Sequence, residues 1–290
     1  MGHSARCAPS VNQGAAYHRR VPAWIRVIHP APALAVVVLS AALAVILATE
    51  GGAPADWTAV VMTVLSVAGS QVVTGATNDL ADRERDADTR PEKPIASGAL
   101  SVNGALWVAS IGLGVQLAAS LRLGALPLVL GVSATASALA YNLALSRTPA
   151  SVVPYLVSFG ILPLWIAAGV GVPLDRVVPA ALLVAPFAAA AHLANAARDW
   201  ETDAQEGSRS LAQLLGRDLS HRVALGLALG VGAVIGLALM LGGRTPPAVI
   251  AFGLLGLVAV AQGVASPRRL WYGMLVAAVA WTLAWGLASG

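Results

Sequence analysis

The chain has 290 residues, 57% of them hydrophobic and only 11% charged, and its mean hydropathy is +0.74. Apolar runs this long and continuous exclude helices that keep one face in water, so the chain reads as an integral membrane protein. A net charge of +4 would suit nucleic acid in a soluble protein, but here the basic residues report topology, and no nucleic-acid partner is expected.

In chain order, residues 1–20 read as a flexible polar tail and 21–290 as a single transmembrane domain. Cys7 is the only cysteine, which rules out an internal disulfide. The start MGHSAR lacks the Ser or Thr of a myristoylation signal. Nine stretches are long enough to span, at about 24–49, 56–77, 101–120, 124–145, 151–171, 176–197, 219–242, 246–265 and 269–289. Abundant Gly and Ala suit helices whose backbones approach closely in lipid, so a compact bundle is expected. With the N-terminus cytoplasmic, 15 of the 18 basic residues fall on the inner side, leaving Arg122, Arg176 and Arg244 outside. That bias places the C-terminus on the opposite side and both long polar segments, 78–100 and 198–218, in the cytoplasm.

Those segments hold eleven of the fourteen acidic residues. Asn78, Asp82 and Asp86 recur as Asn195, Asp199 and Asp203, an Asn-x3-Asp-x3-Asp spacing in both copies, with four spans between them, which makes a parallel repeat. Residues four apart share a helix face, so each copy can present an amide oxygen and two carboxylates as a short row. Two facing rows repel unless a cation lies between them. Hard oxygen donors without His or Cys at ligand spacing select Mg2+ or Mn2+, with a diphosphate completing the ligand set. Asn78, Asp82, Asp86, Asn195, Asp199 and Asp203 are therefore the candidate metal ligands. Arg90, Lys93, Arg198 and Arg209 flank the rows as candidate diphosphate-binding cations, and Lys93 is the only lysine. A pair of ordinary hydrated loops capped by Asp and Asn is the plain reading, and the shared register argues against it.

These residues resemble the UbiA superfamily of intramembrane prenyltransferases. Asn78-Asp79-x-x-Asp82-x-x-x-Asp86 resembles its NDxxDxxxD motif and Asp199-x-x-x-Asp203 its DxxxD motif, and the flanks RPEKPIASGALS and GSRSLAQLLG are similar as well. The resemblance covers about residues 24–289. It implies an all-α polytopic membrane protein with nine transmembrane helices in a UbiA-like bundle around a central cavity, two Mg2+ ions, and an isoprenyl diphosphate whose tail lies in the bundle. It further implies that Asn78 and Asp82 hold one ion, supported by Asp86, and Asp199 and Asp203 the other. Asp79 has Ala196 as its counterpart, so it is expected to orient a loop cation or a water. AYNLALSRTP resembles the family's fourth-helix segment, which makes Tyr141 a cavity residue and Arg147 a diphosphate ligand where many members have Lys. His29 stands before Pro30 where Arg or Lys is frequent, in a region that often faces the acceptor. His192, one turn before Asn195, is a candidate partner of that row, and for both histidines simple packing is the competing reading.

The chemistry implied is loss of diphosphate from the allylic carbon, with Asp82, Asp199 and Tyr141 as the catalytic set and a dry cavity protecting the allylic cation. Tyr141, Phe159, Trp165, Phe187 and Trp200 are candidates to face that cation. Transfer to an aromatic or quinone-precursor acceptor is the favoured outcome. A terpene cyclase without acceptor is the alternative. A membrane transporter is a remote third, because the charges gather at one face and the spans are unbroken.

Overall fold

The computed structural model describes residues 21–50, 54–241 and 246–289, so the tail expected over 1–20 lies outside the described residues. Among these, nine helices are long and apolar enough to cross a bilayer. They are α1 Pro30–Thr49, α2 Trp57–Thr89, α3 Val102–Leu123, α4 Ala125–Ala140, α5 Val153–Gly169, α6 Val178–Arg198, α7 Arg217–Leu241, α8 Pro247–Ala261 and α9 Pro267–Ser289. Short π and 3-10 turns extend α4 to Leu145, open α5 from Pro149 and extend α8 to Ala265. The protein is an all-α, multi-pass integral membrane protein.

Two boundaries differ from the sequence expectation. The first span starts at Pro30, because Ala23–Arg26 form a separate short helix and His29 takes a left-handed conformation, φ 53°. A proline disfavours helical geometry in the residue before it, which accounts for the break. The second span, in turn, runs past residue 77 as helix into the first acidic segment. α2 continues through it to Thr89, 33 residues in all, about 50 Å at 1.5 Å per residue, well beyond a bilayer core of about 30 Å.

Each helix packs mainly on its sequence neighbours, most extensively α2 on α3 and α8 on α9, and α9 returns to touch α1 and α6. The motif-bearing helices α2 and α6 hardly touch, while α5 contacts both. Close approach depends on small residues. A Cβ at Gly69 of α2 would lie 2.5 Å from the Gly112 carbonyl oxygen of α3, and one at Gly273 of α9 would strike the Ala259 carbonyl of α8. In lipid such backbone proximity supplies the van der Waals contact that drives helix association. Side-chain hydrogen bonds add to it: Ser66 meets Ser120 at 2.5 Å, Ser70 meets Thr135 at 2.7 Å, and buried Gln116 donates to Thr135 and to the Gly131 carbonyl. α6 is set against α7 and α9 by a core that includes Leu193, Ala194, Ala228, Leu270, Met274 and Trp281. Its C-terminal end is thereby held rigidly where the second acidic segment begins.

Candidate active site

The two acidic segments meet at one end of the bundle. Arg85, on the extension of α2, pairs with Asp82 at 2.7 Å and with Glu206 of the second segment at 3.0 Å, joining them across the gap between α2 and α6. Tyr141 lies within electrostatic reach of both Asp82 and Asp203. Asn142, which follows it in the π turn, donates to the Thr74 carbonyl at 2.8 Å and to Thr77 at 3.1 Å, fixing the end of α4 to α2. A π turn widens the helix by one residue and re-aims its side chains, and here it sets Tyr141 between the two rows.

The rows themselves are built differently. The first is carried by continuous helix. The second bends, since α6 ends at Arg198, Asp199 sits at the joint with ψ 14°, and Trp200–Gln205 form a new short helix. The expected single helix face is therefore interrupted at Asp199. Backbone bonds from Asp199 to Asn195 (3.1 Å) and from Asp203 to Asp199 (3.0 Å) nevertheless preserve the one-turn spacing.

Asp86 acts on the charge of Asp82 but makes its ion pair with Lys93. Seven residues separate Asp86 from Asp79, which is two helical turns, and the two carboxylates close on Lys93 at 2.8 and 3.0 Å. His29 reaches the same Asp79 oxygen at 2.9 Å. Lys93 thus pins the loop after α2, and through Asp79 and His29 the entry to α1. Its ammonium is engaged by carboxylates instead of standing free for a phosphate.

Arg198 holds Asp199 through two hydrogen bonds, 2.9 and 2.7 Å, and stacks on Trp271 with Cζ 4.8 Å from the ring centre. Arg147 donates to the Glu206 carbonyl, and its own carbonyl accepts from the Arg209 amide at 3.0 Å. Arg147 and Arg209 therefore belong to one small junction over the second segment. Arg90 is exposed but near enough to Asp203 to act on its charge.

A cluster of rings lies below the rows. Tyr141 meets Tyr155 edge-on at 5.2 Å, Tyr155 stacks on His192 at 4.4 Å and on Phe159 at 6.0 Å, and His192 bonds Ser151 at 3.2 Å. Of the other rings expected to face a cation, Trp165 is packed on Gly131 in a separate core with Val67 and Ala134. Phe187 lies against Trp281 at 5.3 Å. Trp200 stands on the short helix of the second segment, where its carbonyl accepts from Gln213. None of these three joins the ring cluster. The sequence reading missed Arg85, Glu206 and Tyr155. Arg85 could have been found by its i,i+3 spacing from Asp82, whereas nothing local marks Tyr155 within its apolar run.

Among the described residues no group of three or more His, Cys, Asp and Glu converges as a ready metal cage. The donors present nonetheless suit a hard divalent ion. Burial, reinforced by the charges of Asp199 and Glu206, pushes the Asp203 carboxyl up to about 6, and Glu206 Oε1 is buried without a hydrogen-bond partner. Arg85 and Arg90 offset the charge of these carboxylates only in part. Mg2+ characteristically takes one or two carboxylates and completes its shell with water and substrate phosphate, so a partial cage of oxygens fits it.

The model of the UbiA prenyltransferase family matches residues 37–270. No curated protein matches the chain. Among solved structures, it is similar to an apo UbiA homologue from Aeropyrum pernix, at 18% identity and TM-score 0.71, covering 88% of this chain and 96% of that one. It is also similar to a UbiA homologue from Archaeoglobus fulgidus bound to GPP and Mg2+, at 16% identity and TM-score 0.62, covering 92% and 100%. A structure of digeranylgeranylglyceryl phosphate synthase matches at 16% identity and TM-score 0.70, covering 91% and 98%.

Proposed function

Since the chain belongs to the UbiA prenyltransferase family, we propose that it is a Mg2+-dependent intramembrane prenyltransferase, releasing diphosphate from an isoprenyl diphosphate and passing the prenyl group to an aromatic or quinone-precursor acceptor. The observation that carries this reading is the meeting of two acidic segments, 78–86 and 195–206, across the gap between α2 and α6, bridged by Arg85 from Asp82 to Glu206 near a ring cluster. The Archaeoglobus homologue holds GPP with Mg2+ in a similar fold, which supports the substrate class.

Asn78 and Asp82 would hold one ion and Asn195, Asp199 and Asp203 a second. When bound, the ions supply charge neutralisation of the leaving diphosphate. Arg85 and Arg198, which pair with Asp82 and Asp199, would also serve phosphate oxygens, and Arg suits that bidentate grip. Arg90, Arg147 and Arg209 are the further candidate cations for the diphosphate, Arg147 and Arg209 at the junction over the second segment. Lys93 acts by fixing the loop, and Asp79 and Asp86 fix Lys93. Tyr141 would stabilise an electron-deficient allylic carbon by its ring charge, with Tyr155 packed edge-on against it and stacked on His192. The N-terminus and both acidic segments lie in the cytoplasm by the distribution of basic residues.

The test is diphosphate release and product mass spectrometry with purified protein, Mg2+ and geranyl, farnesyl and geranylgeranyl diphosphates, with and without acceptor. Release that requires an acceptor is expected. Release with a cyclic hydrocarbon and no acceptor would establish the cyclase instead. Asp82→Ala and Asp199→Ala should each lower turnover by roughly a hundredfold or more, and full activity in both would overturn the assignment.

A further inference from the structure

A cleft opens at the same end of the bundle, with Asp199 in its wall. It measures about 490 Å³ and is lined by Arg198, Arg217, Arg268, Tyr272, Ser266 and Asp199. Three guanidinium groups face one carboxylate there. Arg198 is held by Asp199, and Arg217 pairs with Glu201 at 2.7 Å at an exposed position. Arg268 has no ion-pair partner among the described residues and stands in the first turn of α9, where backbone amides add positive potential.

The depth of the cleft is fixed by the spans it joins. Arg198 ends the span of α6, Arg217 opens that of α7 and Arg268 lies one residue into that of α9, so all three sit at headgroup level. Just below Tyr272 on α9, Leu275, Val276 and Val279 are exposed apolar side chains, a surface for acyl chains. Arginine forks at this depth, above an apolar helix face, recognise phosphate carried by an amphiphile, as basic pockets between transmembrane helices do.

We propose that this cleft binds a phosphate group at headgroup depth, beside the diphosphate site between α2 and α6, with which it shares Arg198 and Asp199. Arg198 takes part in both places, since the guanidinium that lines the cleft is the one that holds Asp199. An occupant of the cleft and Asp199 therefore draw on the same side chain. The site goes beyond the prenyltransferase reading, and binding at it is measurable without turnover.

The experiment uses the full chain in dodecyl maltoside micelles and follows its thermal midpoint by tryptophan fluorescence. Dioleoyl phosphatidylglycerol, dioleoyl phosphatidylcholine and inorganic phosphate are titrated separately. The expected result is a saturable rise with phosphatidylglycerol that phosphatidylcholine does not match. It should be weakened roughly tenfold in apparent affinity by Arg268→Gln, further in Arg217→Gln/Arg268→Gln, and unchanged in Arg222→Gln, whose residue lies outside the cleft. The same pattern with inorganic phosphate alone would identify a free anion as the occupant, again at this site. A phosphatidylglycerol response equal in wild type and Arg268→Gln, a loss as large in Arg222→Gln, or no saturable response to either anion would overturn the proposal.

Discussion

Replacing Lys93 by Met keeps the length and apolar stem of the side chain and removes only the ammonium between Asp79 and Asp86. The carboxylates are 1% and 3% exposed and the lysine 12%, so water does little to screen the loss. Removing one partner of a buried ion pair costs about 3–5 kcal/mol, because a desolvated charge is left uncompensated. Asp79 retains His29 at 2.9 Å, while Asp86 keeps no other ion-pair partner among the described residues. The lower end of that range, about 3 kcal/mol, is therefore expected. Asp86→Asn/Lys93→Met, which leaves no orphan charge at position 86, should recover part of the loss, with a coupling of about 1–3 kcal/mol in the double-mutant cycle. Unfolding in mixed dodecyl sulfate and dodecyl maltoside micelles measures these differences. Hydrogen exchange adds their location, since residues 90–100 should lose protection while the middle of α3 does not. Wild-type stability and wild-type protection of 90–100 in Lys93→Met would refute the claim that this ammonium secures the loop.

Asp203, held up to about 6 by burial and by Asp199 and Glu206, binds more protons in the ion-free folded protein than in the unfolded chain between about pH 3.8 and 6. Its contribution to stability therefore falls as pH rises through that window. Thermal midpoints of ion-free protein should show the fall, Asp203→Asn should flatten it and saturating Mg2+ should remove it, whereas an unchanged slope in Asp203→Asn would count against the assignment. Gly69→Val must push the backbones of α2 and α3 apart and break the Ser66–Ser120 bond, at a cost of about 1–3 kcal/mol or more. Gly114→Val, with open space around it, should be nearly neutral in the same unfolding assay. Arg147→Met should accelerate amide exchange at 206–210 by roughly tenfold, since a charge-assisted bond to the Glu206 carbonyl is lost. Unchanged exchange there would show that the junction is held by other contacts.

The nine spans were legible because each is a continuous apolar run, a local property that lipid reads directly. The paired segments were legible because Asn78, Asp82 and Asp86 and their counterparts at 195, 199 and 203 carry a spacing that survives without any knowledge of packing. The motifs on the same residues carried the resemblance to the family whose model matches residues 37–270. What each side chain does within the segments was less accessible. Lys93 followed the first row closely enough to suggest a phosphate ligand, yet helical phase brings Asp79 and Asp86 around to hold it. Trp165 and Phe187 were plausible cation-facing rings by type, and their rotation about α5 and α6 turns them into separate cores. Sequence alone determined the membrane class and the number of candidate spans, since these depend on composition and on distances along the chain. Tertiary structure alone decided that Arg85 joins the two segments, that α6 breaks at Asp199 and that Tyr155 stacks on His192. Those outcomes depend on the azimuth of each helix and the gap left between α2 and α6, which no single segment encodes.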